Sequence, residues 1–112
     1  MRNRIGDDQR ILHILDAIKE IEIYNKGIDL AEFKGNSMIR FASVKQLEII
    51  GEAAKNVTLS TKSAFPNIEW EQVSALRNIL VHEYFGIDFD LVWQIIQVDV
   101  QDLKKSLETF KR

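Results

Sequence analysis

The first long regular pattern in the chain runs from Asp8 to Tyr24. Ile11, Leu12, Ile14, Leu15, Ile18, Ile21 and Tyr24 recur at steps of three and four residues, the spacing that lines one face of a helix. Asp7 or Asp8 is placed to cap its start, and Gly27 to end it. Asp29 to Phe33 reads as one or two further helical turns, interrupted by Gly35-Asn36-Ser37. A second long helix is predicted from about Ser37 to Val57, with Met38, Phe41, Ala42, Val44, Leu47, Ile50, Ala53, Ala54 and Val57 on a broad apolar face. Leu59 to Phe65 is less regular and ends at Pro66-Asn67. Asn67 then caps a predicted helix from Ile68 to about Tyr84, with Trp70, Val73, Leu76 and Leu80 on its core side. Beyond Gly86, Asp88 or Asp90 opens a last helix to about Phe110, built on Leu91, Val92, Ile95, Ile96, Val98, Leu103 and Leu107. No segment sustains the two-residue alternation of a strand.

Four principal helices with short links predict an all-α, antiparallel helical bundle of four to five helices. The wide apolar faces of the long helices suit a helix-mediated homodimer. At 112 residues the chain has room for one domain, 1–112, with a real core.

Composition narrows the function classes. There is no cysteine, which removes disulfide scaffolds, thiolate zinc sites and cysteine nucleophiles. With two histidines besides, a dedicated transition-metal site is not expected. No glycine-rich phosphate loop is present, so an NTPase has no support. The first residues carry two arginines without an apolar segment behind them, unlike a secretory signal. No stretch approaches the ~18 continuous apolar residues of a membrane helix. A soluble, cytoplasmic protein is expected. The formal net charge is −2, so any contact with RNA has to come from a local cluster, since phosphate binding at large needs a basic excess.

Candidate chemistry gathers in Arg77-Asn78-Ile79-Leu80-Val81-His82-Glu83-Tyr84. At about 100° per residue, Arg77, Asn78 and His82 share one sector of a helix, and Tyr84 returns to within about 20° of Arg77. An imidazole transfers protons in both directions near neutral pH. A guanidinium offers a planar fork matched to phosphate oxygens. Asn78 could orient the imidazole or bond a phosphate. The same grouping also occurs as a solvated helix face, and the residues alone leave both readings open. The other histidine, His13, stands among Ile11, Leu12 and Ile14 and is expected to be structural. Gly51 inside a helix costs about 1 kcal/mol relative to alanine, which points to a second backbone passing close by.

Arg77-x-x-x-x-His82-x-Tyr84 resembles the motif of the HepT-like branch of HEPN nucleases. The run from Arg77 to Gly86 is similar to that family's segment almost residue for residue. Leu47-Glu48-Ile49-Ile50-Gly51-Glu52-Ala53-Ala54-Lys55-Asn56 resembles its other hallmark, as do Pro66, Trp70 and Val92-Trp93. The resemblance covers about residues 8 to 108. It implies a HEPN-type homodimer with motif helices from both subunits facing a composite cleft. It further implies a toxin of a toxin–antitoxin pair, a metal-independent endoribonuclease cutting tRNA or mRNA with no cofactor. By this carry-over Arg77 and His82 are catalytic, with Asn78 in support. The implied partner is a minimal nucleotidyltransferase antitoxin that adds AMP to Tyr84. Glu52 then lines the cleft or holds Arg77, with a structural salt bridge preferred, and Gly51 permits close packing near the dimer axis. One departure is Val100-Gln101, where many relatives have Leu-Pro; losing that kink predicts a straighter last helix. The alternative function is a non-catalytic helical binding partner of the nucleotidyltransferase. The mildly acidic charge suits that alternative, whereas the Arg–His pair suits the nuclease. A dimeric domain whose motif merely ties its interface is a third.

Overall fold

The computed structural model describes residues 2–79 and 86–109. Helix α1 spans Arg2–Tyr24, α2 Leu30–Gly35, α3 Ser37–Lys55, α4 Leu59–Ala64 and α5 Trp70–Ala75. A 3-10 turn, Leu76–Asn78, continues α5. Helix α6 spans Phe89–Gln94, a π-helical segment covers Ile95–Asp99, and α7 spans Val100–Leu107. The fold is all-α, and no strand occurs among the described residues.

The centre is the antiparallel pair α1 and α3. Its two ends are tied by polar side chains. At one end Asn25, just past α1, donates to the carbonyl of Ile21 at 2.9 Å and to Ser43 Oγ at 3.0 Å. Gly27, at φ +74°, takes the left-handed conformation that lets the chain turn away there. At the other end the carboxylate of Asp7 reaches the start of α4. Between these ties, Ile11, Ile14, Ala17, Ile18 and Ile21 meet Val44, Leu47, Ile50, Ala54 and Val57 in one buried core. Helix α3 packs on its other side against α5 and the 3-10 turn, while α7 lies against α1. Val92, Ile96, Val100, Leu103 and Leu107 complete the core. Lys104 Nζ pairs with Glu22 at 2.9 Å, bridging α7 to α1.

Several sequence expectations shift. Helix α1 begins at Arg2, so neither Asp7 nor Asp8 caps it. Asp7 caps α4 instead. Thr58, the residue before α4, makes no capping bond with its own side chain. Its backbone N–H donates to Asp7 Oδ1 at 3.1 Å, and the hydroxyls of Thr58 and Thr61 donate to Oδ2 at 2.5 and 2.6 Å. Asp7 is 2% exposed. Burial pushes its carboxyl up, but the bonds from Thr58 and Thr61 and the nearby Arg10 charge outweigh that. It therefore titrates below its ordinary 3.8. A remote carboxylate thus does the work of a local cap.

Asn36 caps α3 by accepting from the N–H of Ile39 at 3.0 Å, and Asp88, not Asp90, caps α6. Asn67 caps nothing: α5 starts at Trp70, after Glu69. The last helix carries a π-helical segment, Ile95–Asp99, just before Val100. Ile96 and Val100, four residues apart on one face, both lie in the core. Met38, Phe41, Leu91 and Val98, expected on core faces, are exposed. Phe41 still meets Phe89 edge-on at 5.7 Å, with the Arg40 guanidinium 4.7 Å over the Phe89 ring. No helix among the described residues is long and apolar enough to cross a membrane.

Candidate active site

Arg77 sits in the middle of the 3-10 turn that follows α5. Its place is set by backbone contact with α3. A Cβ built on Gly51 would lie 2.3 Å from the Arg77 backbone nitrogen and 3.0 Å from its Cα. Only a residue without a side chain lets the two helices come this close. The approach lies within one chain, between α3 and the turn carrying Arg77. Gly51 thus permits close helix packing inside the subunit.

One residue further along α3, Glu52 faces the arginine side chain. Its Oε1 stands 3.8 Å from Arg77 Nη1, with the side chains 60% and 37% exposed respectively. The pair is too wet to hold the fold together by itself. Asn56, one turn on, donates through Nδ2 to Glu52 Oε2 at 3.2 Å and to the Glu52 carbonyl at 3.0 Å. The amide restrains the carboxylate, and the carboxylate directs the guanidinium. Arg77 keeps further N–H groups for a ligand, since a guanidinium carries five donors.

Asn78 points elsewhere. It borders a hollow shared with Ala75, Ile79, Ile87 and Leu91, between the 3-10 turn and α6. A 3-10 turn advances about 120° per residue, in place of the 100° of an α-helix, which sets Asn78 about 20° further round from Arg77 than a uniform helix would. His82 and Tyr84 lie outside the described residues.

His13, expected to be structural, is exposed on α1. It lines a groove of about 420 Å³ with Gln9 and Arg10 from α1 and Ile49, Glu52 and Asn56 from α3. The helical twist explains its position: Ile11 and Ile14 face the core, and the residue between them is carried to the other side. Among the described residues no cluster of three or more His, Asp and Glu side chains is arranged to hold a metal ion.

The all-α bundle and the R-x-x-x-x-H-x-Y segment beginning at Arg77 fit a HEPN-type protein. The model of the family described as "Ribonuclease HepT-like" matches residues 14–110. The chain belongs to that family and is a HepT-type ribonuclease. It is 44% identical over 95 residues to "Putative RNase MJ1380" of Methanocaldococcus jannaschii, covering 85% of this chain and 87% of that one. It is 34% identical over 99 residues to "Probable ribonuclease HepT" of Thermococcus cleftensis, covering 88% and 90%. No solved structure matches.

Proposed function

We propose that this ribonuclease is the toxin of a toxin–antitoxin pair, cutting tRNA or mRNA without a metal at a cleft shared by two copies of the chain. The observation that carries the reading is the directed guanidinium: Arg77 held from behind by Gly51 and from the side by Glu52, which Asn56 restrains. In the reaction, the ribose 2′-oxygen attacks the adjacent phosphorus as His82 takes the 2′-OH proton. Arg77 stabilises the charge that builds on the phosphorane oxygens. The bond to the 5′-oxygen of the next nucleotide breaks, that oxygen receives a proton, and a 2′,3′-cyclic phosphate remains. Asn78, on the adjacent face of the turn, serves the substrate or the imidazole from a different side than Arg77.

The partner in this reading is a minimal nucleotidyltransferase that transfers AMP to the Tyr84 hydroxyl. An adenylyl group there adds bulk and a negative phosphate close to the catalytic pair, opposing RNA binding and competing for Arg77. A cytoplasmic site of action follows from an RNA substrate.

The test is incubation of the purified, unmodified protein with total RNA in excess EDTA, beside His82→Ala. Cleavage by the wild type alone, leaving 2′,3′-cyclic phosphate ends, supports the reading. Absence of cleavage, with Tyr84 unmodified by intact mass, favours a non-catalytic partner of the nucleotidyltransferase.

A further inference from the structure

The groove beside Glu52 is built by matching stripes on two helices. Gly6, Gln9, Arg10 and His13 follow one another on α1 at i, i+3, i+4 and i+7, and Ile49, Glu52, Ala53 and Asn56 do the same on α3. This spacing keeps each set on a single face. Two of the positions are small, Gly6 and Ala53, and they leave room that larger side chains would fill. The Arg10 guanidinium folds back over Gly6, whose added Cβ would stand 3.0 Å from Arg10 Nη1. At about 420 Å³ the space is in the range that holds a small ligand.

Its chemistry favours a base over a phosphate. Arg10 is paired with Asp7 at 3.4 Å, and Glu52 faces Arg77, so each charge at the rim is already countered. Ile49 and Ala53 provide an apolar floor. The Gln9 amide both donates and accepts, the Asn56 carbonyl oxygen accepts while its NH2 group is engaged by Glu52, and His13 offers a flat ring to stack on. Single-stranded RNA is held in this way, by stacking and edge hydrogen bonds on unpaired bases. The protein's net charge of −2 makes the same demand: affinity has to come from bases where phosphates gain little.

Glu52 belongs to both places. One carboxylate oxygen faces Arg77 and the other accepts from Asn56. Ile49 and Asn56 stand about one helical turn to either side of it, roughly 5 Å along α3. A nucleotide in the groove is therefore a near neighbour of one whose phosphate meets Arg77.

We propose that the α1–α3 groove is a nucleobase subsite, in which His13, Gln9 and Asn56 hold an unpaired RNA base flanking the phosphate at Arg77. The inference rests on the ribonuclease reading above. It makes Gln9 and Asn56 the specificity-determining residues, since their amides meet the edge that distinguishes one base from another, while His13 stacks on any base.

The experiment uses the full chain carrying His82→Ala, which leaves His13 as its one histidine. A single-stranded RNA hexamer with 2′-O-methyl riboses, which no 2′-OH attack can cleave, is titrated in while the imidazole proton signals are followed by NMR. The expected result is a saturable shift of the His13 signals. In otherwise wild-type protein, His13→Ala is expected to raise KM for cleavable RNA by about fivefold or more, as lost stacking on one base does, with kcat nearly unchanged. If the hexamer binds, by fluorescence polarisation, while the His13 signals stay fixed and KM does not move, the subsite is wrong and the nuclease reading stands. If the wild type neither binds nor cuts RNA, both fall together.

Discussion

Gly51 and Arg77 approach so closely that a single methyl group on the glycine would lie 2.3 Å from the arginine's backbone nitrogen. No rotamer change relieves that contact, because the obstructing atoms are main chain. The turn that presents Arg77 is thereby seated against α3 by its backbone, and its side chain is left half-exposed beside Glu52.

Gly51→Ala is expected to lower stability by about 1–3 kcal/mol, the usual cost of forcing extra atoms into a packed contact. Helix propensity returns about 1 kcal/mol of that, but a 2.3 Å contact with main-chain atoms puts the cost at the upper end, so the net effect is a loss. RNA cleavage should fall more than the melting temperature suggests, since the displaced element carries Arg77. A variant as stable and active as the wild type would show that α3 and the turn are not held together this way.

Glu52→Gln separates direction from stability. The Glu52–Arg77 pair is largely exposed, so its loss should change unfolding free energy by less than about 1 kcal/mol. Cleavage is expected to drop through kcat, because Arg77 loses the charge that aims it. Equal losses of stability and activity in urea unfolding and initial-rate assays would instead make Glu52 a purely structural partner.

Asp7→Asn tests the remote cap of α4. The variant keeps the shape but loses the charge that accepts from Thr58 and Thr61, and is expected to be less stable by about 1–3 kcal/mol at neutral pH. The Asp7 pKa is lowered in the folded protein, so its contribution is fully present above the unfolded value of 3.8 and is lost as pH falls through the folded value. Denaturation midpoints of the two proteins should therefore converge below about pH 3.8 and stay apart, by a constant margin, above it. A margin unchanged into strong acid would assign the effect to packing.

Much of this was legible in residue order because it depends on short-range periodicity. The three- and four-residue recurrence of Ile11, Ile14, Ile18 and Ile21 announces α1 and its buried face, and Val44, Leu47, Ile50 and Ala54 announce α3. An interior glycine in α3 announces a close backbone, though the sequence does not name whose. The Arg77 to Gly86 segment marks the family, which the match to residues 14–110 shows.

Other features are decided only when distant parts of the chain meet. Asp7 reads as a cap for its own helix; whether it serves α1 or α4 depends on α1 and α3 running antiparallel, which brings residues 7 and 58 together. The exposure of Met38 and Phe41 depends on which faces of α3 its neighbours cover. The 3-10 turn at Leu76–Asn78 is one that no local propensity signals. The groove at His13 needs two helices at once, since each stripe alone is an ordinary polar face. Sequence by itself determined the helices, their inward faces and the family, all properties of neighbours along a chain. Tertiary structure decided which polar groups became caps, which glycine met which backbone and where a hollow was left, because those depend on the distance between segments far apart in the sequence.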